Sequence, residues 1–324
     1  MRILKGDDES LNAKMIYLLL VGLTVVWGFN VSFVKILVGT VPPVTITAFR
    51  IFTAAITVFI ALGLLRRVRL PKKSEMIYII GGTFTGVVIH HYFLSSGLTA
   101  TSATNAGLVL GMGPLLTVLL SIIFFRKRPS LITGLGFIVG GIGVSITVLY
   151  GNGQLQGVNI GDFQIFLCIL SQAFSFILIN KATKTMDSVL LTGYMLLFGS
   201  IMLFMISLVI EPHGLAALVN VTPSYVIVFL ISAIMATGLG HMLYNYSISQ
   251  VGAAEASIFL NLSTFFSVVG AALFLTETIH FAHFVGMIFI VSGVIMGSGT
   301  LEALLLQRKK MRQTIGPDAG QHHL

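Results

Sequence analysis

The chain has 324 residues, of which 56% are hydrophobic and only 9% are charged, and its mean hydropathy is +0.98. These proportions exclude a water-soluble globule, because too few polar side chains are present to cover its surface, and they indicate an integral membrane protein. The net charge of +8 does not indicate nucleic-acid binding, since the basic residues flank apolar stretches instead of alternating with aromatic ones. The single cysteine, Cys168, excludes an internal disulfide.

Apolar stretches separated by polar residues, Gly or Pro predict the membrane-spanning helices. A helix needs about 20 residues to cross the hydrocarbon layer of a bilayer. The apolar runs are continuous rather than alternating, which disfavours the strands of a membrane β-barrel. The sequence therefore predicts an all-α integral membrane protein with ten transmembrane helices, at about 15–38, 44–65, 76–98, 102–125, 130–149, 162–180, 188–210, 223–247, 252–275 and 280–300.

The basic residues predict the orientation, because cytoplasmic loops of membrane proteins collect Lys and Arg. With a cytoplasmic N-terminus, all but two of the 19 Lys and Arg residues fall on the cytoplasmic side. The sequence thus predicts a multi-pass protein of the cell (inner, cytoplasmic) membrane with both termini in the cytoplasm. The two exceptions, Lys35 and Arg50, lie inside predicted helices near the external side and need a separate explanation.

An internal repeat relates the two halves of the chain. A shift of 150 positions aligns residues 91–117 with 241–267, so that His91 meets His241. Each half then holds five helices, and because five is odd the second copy must be inverted in the membrane, as in many secondary transporters. The predicted organisation is a cytoplasmic segment at 1–14, a first five-helix repeat at 15–149, an external linker at 150–161, a second repeat at 162–300 and a basic cytoplasmic tail at 301–324.

Five stretches carry a resemblance to a known family: VVWGFNVSFVK at 25–35, TAFRIFTAA at 47–55, TSATNAGLVLGMGPLLTVLLSIIFF at 101–125, GAAEASIFLNLSTFFSVVGAALFLTETI at 252–279 and the glycine-rich ends of the fifth and tenth segments. In their order and spacing they resemble the ten-helix EamA-type proteins of the drug/metabolite transporter superfamily. The resemblance implies a substrate cavity enclosed by segments 1–4 and 6–9, with segments 5 and 10 peripheral. Lys127 and Thr276 depart from the Glu and Gly that the family commonly has there, although Glu277 keeps the second acid.

A polar stripe in the second segment contains the most unusual residue of the chain. Thr47, Arg50, Thr53 and Thr57 fall within an arc of about 120° at 100° per residue, so this face is expected to meet protein or water. Arg50 cannot lose its charge. It either has a structural role, reaching the interface or pairing with Glu211 or Glu277, or it binds an anionic group of a substrate.

Other polar and aromatic side chains inside the predicted helices are candidates for contact with a substrate. Hydrogen bonds between helices are the alternative role for each of them. His91, His241 and Glu255 are also candidates for proton coupling, although a carboxylate at the N-terminal turn of a helix, as at Glu255, also complements the helix dipole. The complete set of predicted substrate-binding residues is Trp27, Asn30, Arg50, His91, Tyr92, Gln172, His241, Tyr244, Asn245 and Asn261.

Catalytic motifs are absent from the sequence. It contains no HExxH, GxSxG, P-loop or dinucleotide fingerprint, so no enzyme activity, cofactor or metal site is predicted, and ATP hydrolysis is excluded as the source of energy. The leading hypothesis is a secondary transporter of the inner membrane that exports amino acids or related small metabolites by alternating access. The alternatives are a membrane-embedded sensor that does not transport, and a multidrug exporter of the same superfamily.

The expected partners are a small molecule, an amino acid or another carboxylate-bearing metabolite, and the lipid bilayer. The first segment contains no acid, which argues against export of organic cations. GxxxG spacings, including Gly136/Gly140 and Gly293/Gly297, predict close contacts between helices, either within a monomer or in a homodimer.

Overall fold

The computed structural model describes residues 3–125, 130–151, 158–219 and 221–297. Within these ranges the regular structure is entirely helical, which confirms the predicted fold class. Nine of the described helices are long and apolar enough to cross a membrane, and Phe281–Gly297 is a shorter apolar helix. Half of the predicted linker at 150–161, the whole predicted tail at 301–324 and Lys127 lie outside the described residues.

Ten helices follow one another in the described part of the chain, and their ends agree with the predicted segments to within four residues, except that the first helix begins earlier. They are α1 (Ile3–Val38), α2 (Pro43–Leu64), α3 (Lys73–Ala100), α4 (Ala103–Leu110 and Gly113–Phe125), α5 (Leu131–Tyr150), α6 (Ile160–Ala182), α7 (Ser188–Ile210), α8 (Pro223–Val251), α9 (Ala253–Ile258 and Leu260–Leu275) and α10 (Phe281–Gly297).

Polar side chains mark the beginning of several of these helices. Ser102 accepts a hydrogen bond from the backbone N–H of Asn105 at the start of α4, and Asn159 does the same for Gly161 in α6. Asp187 accepts from the backbone N–H groups of Val189 and Leu190 in the first turn of α7. A side-chain oxygen at this position satisfies N–H groups that have no partner within the helix.

Helices α3 and α8 each contain a π-helical segment at equivalent positions of the two repeats. The segments are Thr83–Ile89 and Ile231–Leu239, and the 150-residue shift aligns their last residues. A π-helical turn inserts an extra residue and so rotates everything after it relative to a regular α-helix. The sequence predicts regular helices here, because no residue type is specific for π-helical hydrogen bonding.

Helices α5 and α10 pack against each other at the edge of the bundle, as the resemblance implies. A Cβ atom on Gly136 would lie 2.3 Å from the backbone nitrogen of Gly297, and one on Gly293 would lie 2.4 Å from that of Gly140. The GxxxG spacings of these two helices therefore make a contact within one chain. The helices nearer the centre pair as the repeat requires, with α1 against α9, α4 against α6, and α2 against α7.

Two carboxylates join the repeats on the side of the membrane where α1 ends, here called the distal side. Glu211, after α7, accepts hydrogen bonds from the backbone N–H groups of Val44 and Thr45 in α2. Glu277, after α9, accepts from Ala103 and Thr104 in α4. Neither acid forms an ion pair with Arg50 in the described residues, so the predicted structural pairing is wrong; both carboxylates instead bind the positive ends of helices.

Lys35, the other basic residue that departs from the charge asymmetry, also lies at the distal side. Its Nζ donates to the carbonyl oxygens of Leu98 and Thr101, at 2.6 and 2.8 Å, where α3 ends. A cation at this position stabilises carbonyl groups that have no partner in the last helical turn. Lys35 therefore has a structural role that accounts for its place inside a membrane-spanning segment.

Candidate functional site

A central cavity lies between the two repeats, with an empty volume of about 690 Å³ when the space at its mouth is included. The wall comes from α1, α3, α4, α6, α8 and α9, while α2 and α7 do not reach it. The wall residues are Trp27, Asn30, Val31, His90, His91, Leu94, Leu110, Ile169, Gln172, Phe176, Ala236, Thr237, His241, Leu260 and Ser263.

Five of the ten predicted substrate-binding residues lie on this wall, namely Trp27, Asn30, His91, Gln172 and His241. They come from four helices in both halves of the chain, so residues far apart in sequence converge on one space. The rest of the wall is mainly aliphatic and aromatic. An apolar wall with a few polar groups is typical of a site that binds a small organic molecule and fixes its orientation.

Three polar atoms on the wall are buried without a hydrogen-bond partner in the described part of the chain. They are Asn30 Oδ1, His91 Nε2 and Gln172 Oε1, from α1, α3 and α6. Buried polar groups in folded proteins nearly always have partners, and an unpartnered group carries a desolvation cost of about 1–3 kcal/mol. Polar groups of a bound molecule could satisfy all three.

Arg50 lies behind the wall rather than on it, with an exposed fraction of 1%. Its Nη1 donates to Thr237 Oγ1 at 2.8 Å, and its Nη2 lies 3.2 Å from His91 Nδ1. The two ion pairs of the described residues, Arg67 with Asp187 and Arg69 with Glu75, do not include it. Arg50 thus connects α2 to α3 and α8 and reaches the cavity only through His91 and Thr237.

An aromatic cluster borders the cavity on its other side, toward the end of the bundle where α1 begins. The ring of Tyr244 lies 4.8 Å from that of Trp27 and 5.0 Å from that of Phe176. Trp27 Nε1 also donates to the carbonyl of Ala236 at 2.7 Å. Tyr244 is fully buried and lies behind these two rings, so it closes the wall without being part of it.

The remaining candidates lie away from the cavity wall. Tyr92 is half-buried against Phe93. Asn245 donates to Thr192 Oγ1 at 2.9 Å. Asn261 donates to the carbonyl of Ile258, three residues earlier in the chain. The Asn245 contact joins α8 to α7, which is the alternative role that the sequence left open, whereas these contacts of Tyr92 and Asn261 lie within a single helix. The predictions of their roles remain untested.

Glu255 lies at the end of the bundle where α1 begins, in the first turn of α9. It is exposed and accepts a hydrogen bond of 2.5 Å from the hydroxyl of Tyr17 in α1. This position suits the helix dipole and does not place the carboxylate in the cavity. Its predicted part in proton coupling therefore has no support from burial.

Thr237, His90 and Ser263 belong to the wall but are not among the predicted substrate-binding residues. His90 precedes a predicted residue directly, and Thr237 precedes His241 by one helical turn, so proximity in sequence was the available signal. Thr237 lies inside the π-helical segment of α8, where an α-helical periodicity assigns faces incorrectly. In the described ranges, no three His, Cys, Asp or Glu side chains converge in a way that could hold a metal ion.

Two consecutive matches to one family model cover nearly the whole bundle. Residues 14–149 and 159–298 each match the model of the EamA-like transporter family. The chain belongs to the EamA-like transporter family. This membership confirms the resemblance and the duplication, and it makes the chain a multi-pass membrane transporter. The central cavity of an EamA-like protein is then the natural place for cargo, since transporters with inverted repeats bind their substrates where the repeats meet.

Curated relatives and a solved structure agree with this membership. Uncharacterized transporter YyaM of Bacillus subtilis (strain 168) is 24% identical over 291 residues, covering 88% of this EamA-like chain and 94% of its own. Uncharacterized transporter YcxC of the same organism is 27% identical over 286 residues, covering 85% and 90%. A crystal structure with 20% sequence identity has a TM-score of 0.61 and covers 90% of this chain and 97% of that one, which shows the shared fold.

Proposed function

We propose that this transporter is a secondary carrier of the cytoplasmic membrane that exports amino acids or related small metabolites by alternating access. The observation that carries the proposal is the set of unpartnered wall atoms, Asn30 Oδ1, His91 Nε2 and Gln172 Oε1. A water-filled or cargo-filled cavity is the environment in which these groups are satisfied, and a cavity between inverted repeats can open to either side when the repeats rock.

The apolar part of the wall supports cargo with a small apolar side chain. Leu94, Leu110, Ile169, Phe176 and Leu260 supply aliphatic and aromatic surface beside the polar atoms. An amino acid carries both kinds of group, a polar backbone end and a side chain. The wall residues include no acid, which argues against organic cations as cargo.

The sequence supports an energy source other than ATP and an orientation of the protein in the membrane. The absence of a Walker motif from the 324 residues supports coupling to an ion or substrate gradient rather than to ATP. The excess of Lys and Arg on one side supports a cytoplasmic location for the loops between α2 and α3 and after α6, and for both termini. The distal side, where α1 ends, is then external.

Counterflow in proteoliposomes tests the proposal. Vesicles loaded with unlabelled L-leucine or L-phenylalanine are expected to accumulate the labelled amino acid, whereas protein-free vesicles are not. Gln172→Leu should weaken exchange about tenfold, because it removes a polar group from the wall, while the exposed Gln250→Leu serves as the matched control. Binding without any counterflow would indicate a sensor and contradict transport.

A further inference from the structure

The contact between Arg50 and His91 determines which nitrogen of the imidazole carries a proton. A guanidinium can only donate hydrogen bonds, so His91 Nδ1, at 3.2 Å from Arg50 Nη2, must accept. The proton of the neutral ring then lies on Nε2. That atom is buried on the cavity wall and has no partner among the described residues. His91 therefore presents a free N–H donor to the cavity.

His241, the residue equivalent to His91 in the second repeat, presents the opposite polarity. Its Nδ1 lies 3.0 Å from the backbone carbonyl oxygen of Thr237. A carbonyl can only accept, so Nδ1 carries the proton and Nε2 keeps its lone pair. The two rings are 5.4 Å apart. One imidazole thus offers a donor and the other an acceptor on the same wall.

The charge of Arg50 is not neutralised by protein in this region. No carboxylate of the described residues lies within 4 Å of it, and the cavity wall contains no acid. The titratable side chains on the wall itself, His90, His91 and His241, cannot supply negative charge. Protonation of His91 would place a second cation against the guanidinium, so the site favours a negative group from a bound molecule.

We propose that the cavity binds the carboxylate of its cargo through His91 Nε2–H, and that Arg50 is a positioning residue that acts through His91 without touching the cargo. Arg50 holds His91 as the Nε2–H tautomer and supplies the positive potential. A donor group of the cargo, such as the ammonium of an α-amino acid, then faces Asn30 Oδ1, Gln172 Oε1 and His241 Nε2. This assignment rests on the proposed function and specifies the chemistry of that same site.

A double-mutant cycle separates action through His91 from direct contact with cargo. Arg50→Gln, His91→Gln and the double variant are purified, and their affinities for L-leucine and L-leucinamide are measured by the fluorescence of Trp27, the single tryptophan. The amide replaces the carboxylate with a neutral group. The matched control is Arg67→Gln, an exposed site just after α2 whose side chain is 58% exposed.

The unmodified protein and the control should bind leucine about ten- to a hundredfold more tightly than leucinamide. This is the range of one hydrogen bond to a charged group. Each single substitution should remove most of this preference, and the double variant should lose no more than the worse single variant, because both act on one interaction. Arg50→Lys should retain part of the preference, since the positive charge remains but the planar guanidinium with its two donor nitrogens does not. It also provides a second measurement if Arg50→Gln does not fold.

Two results would overturn this inference and leave the proposed function unaffected. Multiplicative losses in the double variant would mean that Arg50 contacts the carboxylate directly, and equal affinities of the unmodified protein for leucine and its amide would mean that no carboxylate is recognised. Failure of the unmodified protein to bind or exchange any amino acid would instead refute the amino-acid cargo, and the inference with it.

Discussion

The glycine contact between α5 and α10 allows a sharp prediction about the stability of the bundle. Around Gly293, an added Cβ would lie 2.4 Å from the backbone nitrogen of Gly140, 2.6 Å from its Cα and 2.7 Å from the carbonyl oxygen of Gly136. All three atoms belong to a helix backbone and cannot rotate away. Gly141, one position further along α5, has nothing within 4 Å of the same added atom.

The expected cost of Gly293→Ala follows from these distances. Ordinary contacts of a Cβ atom begin near 3.4 Å, so the two helices would have to separate by about 1 Å along the contact. Forcing one extra methyl group into a packed contact costs about 1–3 kcal/mol. Gly141→Ala should be neutral or stabilising by up to about 1 kcal/mol, because alanine has the better helix propensity and meets open space.

Thermal unfolding of the purified protein in detergent measures the difference. Gly293→Ala is expected to unfold about 2–6 °C below Gly141→Ala, given the usual relation between free energy and midpoint for a chain of this size. The readout is the fraction of protein that remains monodisperse after heating. Equal midpoints for the two variants would refute the reasoning, because they would show that backbone contact between α5 and α10 does not constrain the bundle.

Three further predictions concern the site, a turn and the topology. Binding of cargo should change the emission of Trp27, which lies on the cavity wall, in a fluorescence titration. Thr276→Gly should raise the free energy of unfolding by about 1 kcal/mol, because Thr276 has a φ of +53°, as a denaturant titration would show. Cysteines replacing Lys72 and Lys181 should react with an impermeant maleimide only after lysis, whereas one replacing Ser224 should react in intact cells.

Hydropathy was sufficient to predict where the helices lie. The ends of α2, for example, fall at Pro43 and Leu64 where the sequence predicted 44 and 65. The reason is that lipid imposes one requirement, a helix with an apolar surface about 20 residues long, and this requirement can be met by local sequence alone. The repeat and its inversion can also be predicted from the sequence, because an odd number of helices per copy decides the orientation of the second copy.

The composition of the cavity wall was only partly predictable. Trp27, Asn30, His91, Gln172 and His241 lie on it as predicted, whereas the other five predicted residues pack against or bond to protein away from the wall, because contacts between helices also satisfy buried polar groups. Regular helical periodicity does not anticipate the π-helical segments of α3 and α8, which rotate the residues that follow them. A prediction of which side chains face the cavity therefore fails most where these segments occur.

Arg50 shows most clearly what the sequence determines and what only the tertiary structure decides. The sequence alone determined that a permanent charge lies inside a helix of a ten-helix inverted-repeat membrane protein and must meet protein or water. Only the tertiary structure decided its partners, because Thr237 is 187 residues away and His91 is 41 residues away. Hydropathy is a property of each segment, whereas the contacts of a buried side chain depend on how segments from both repeats pack together, and no local pattern encodes that packing.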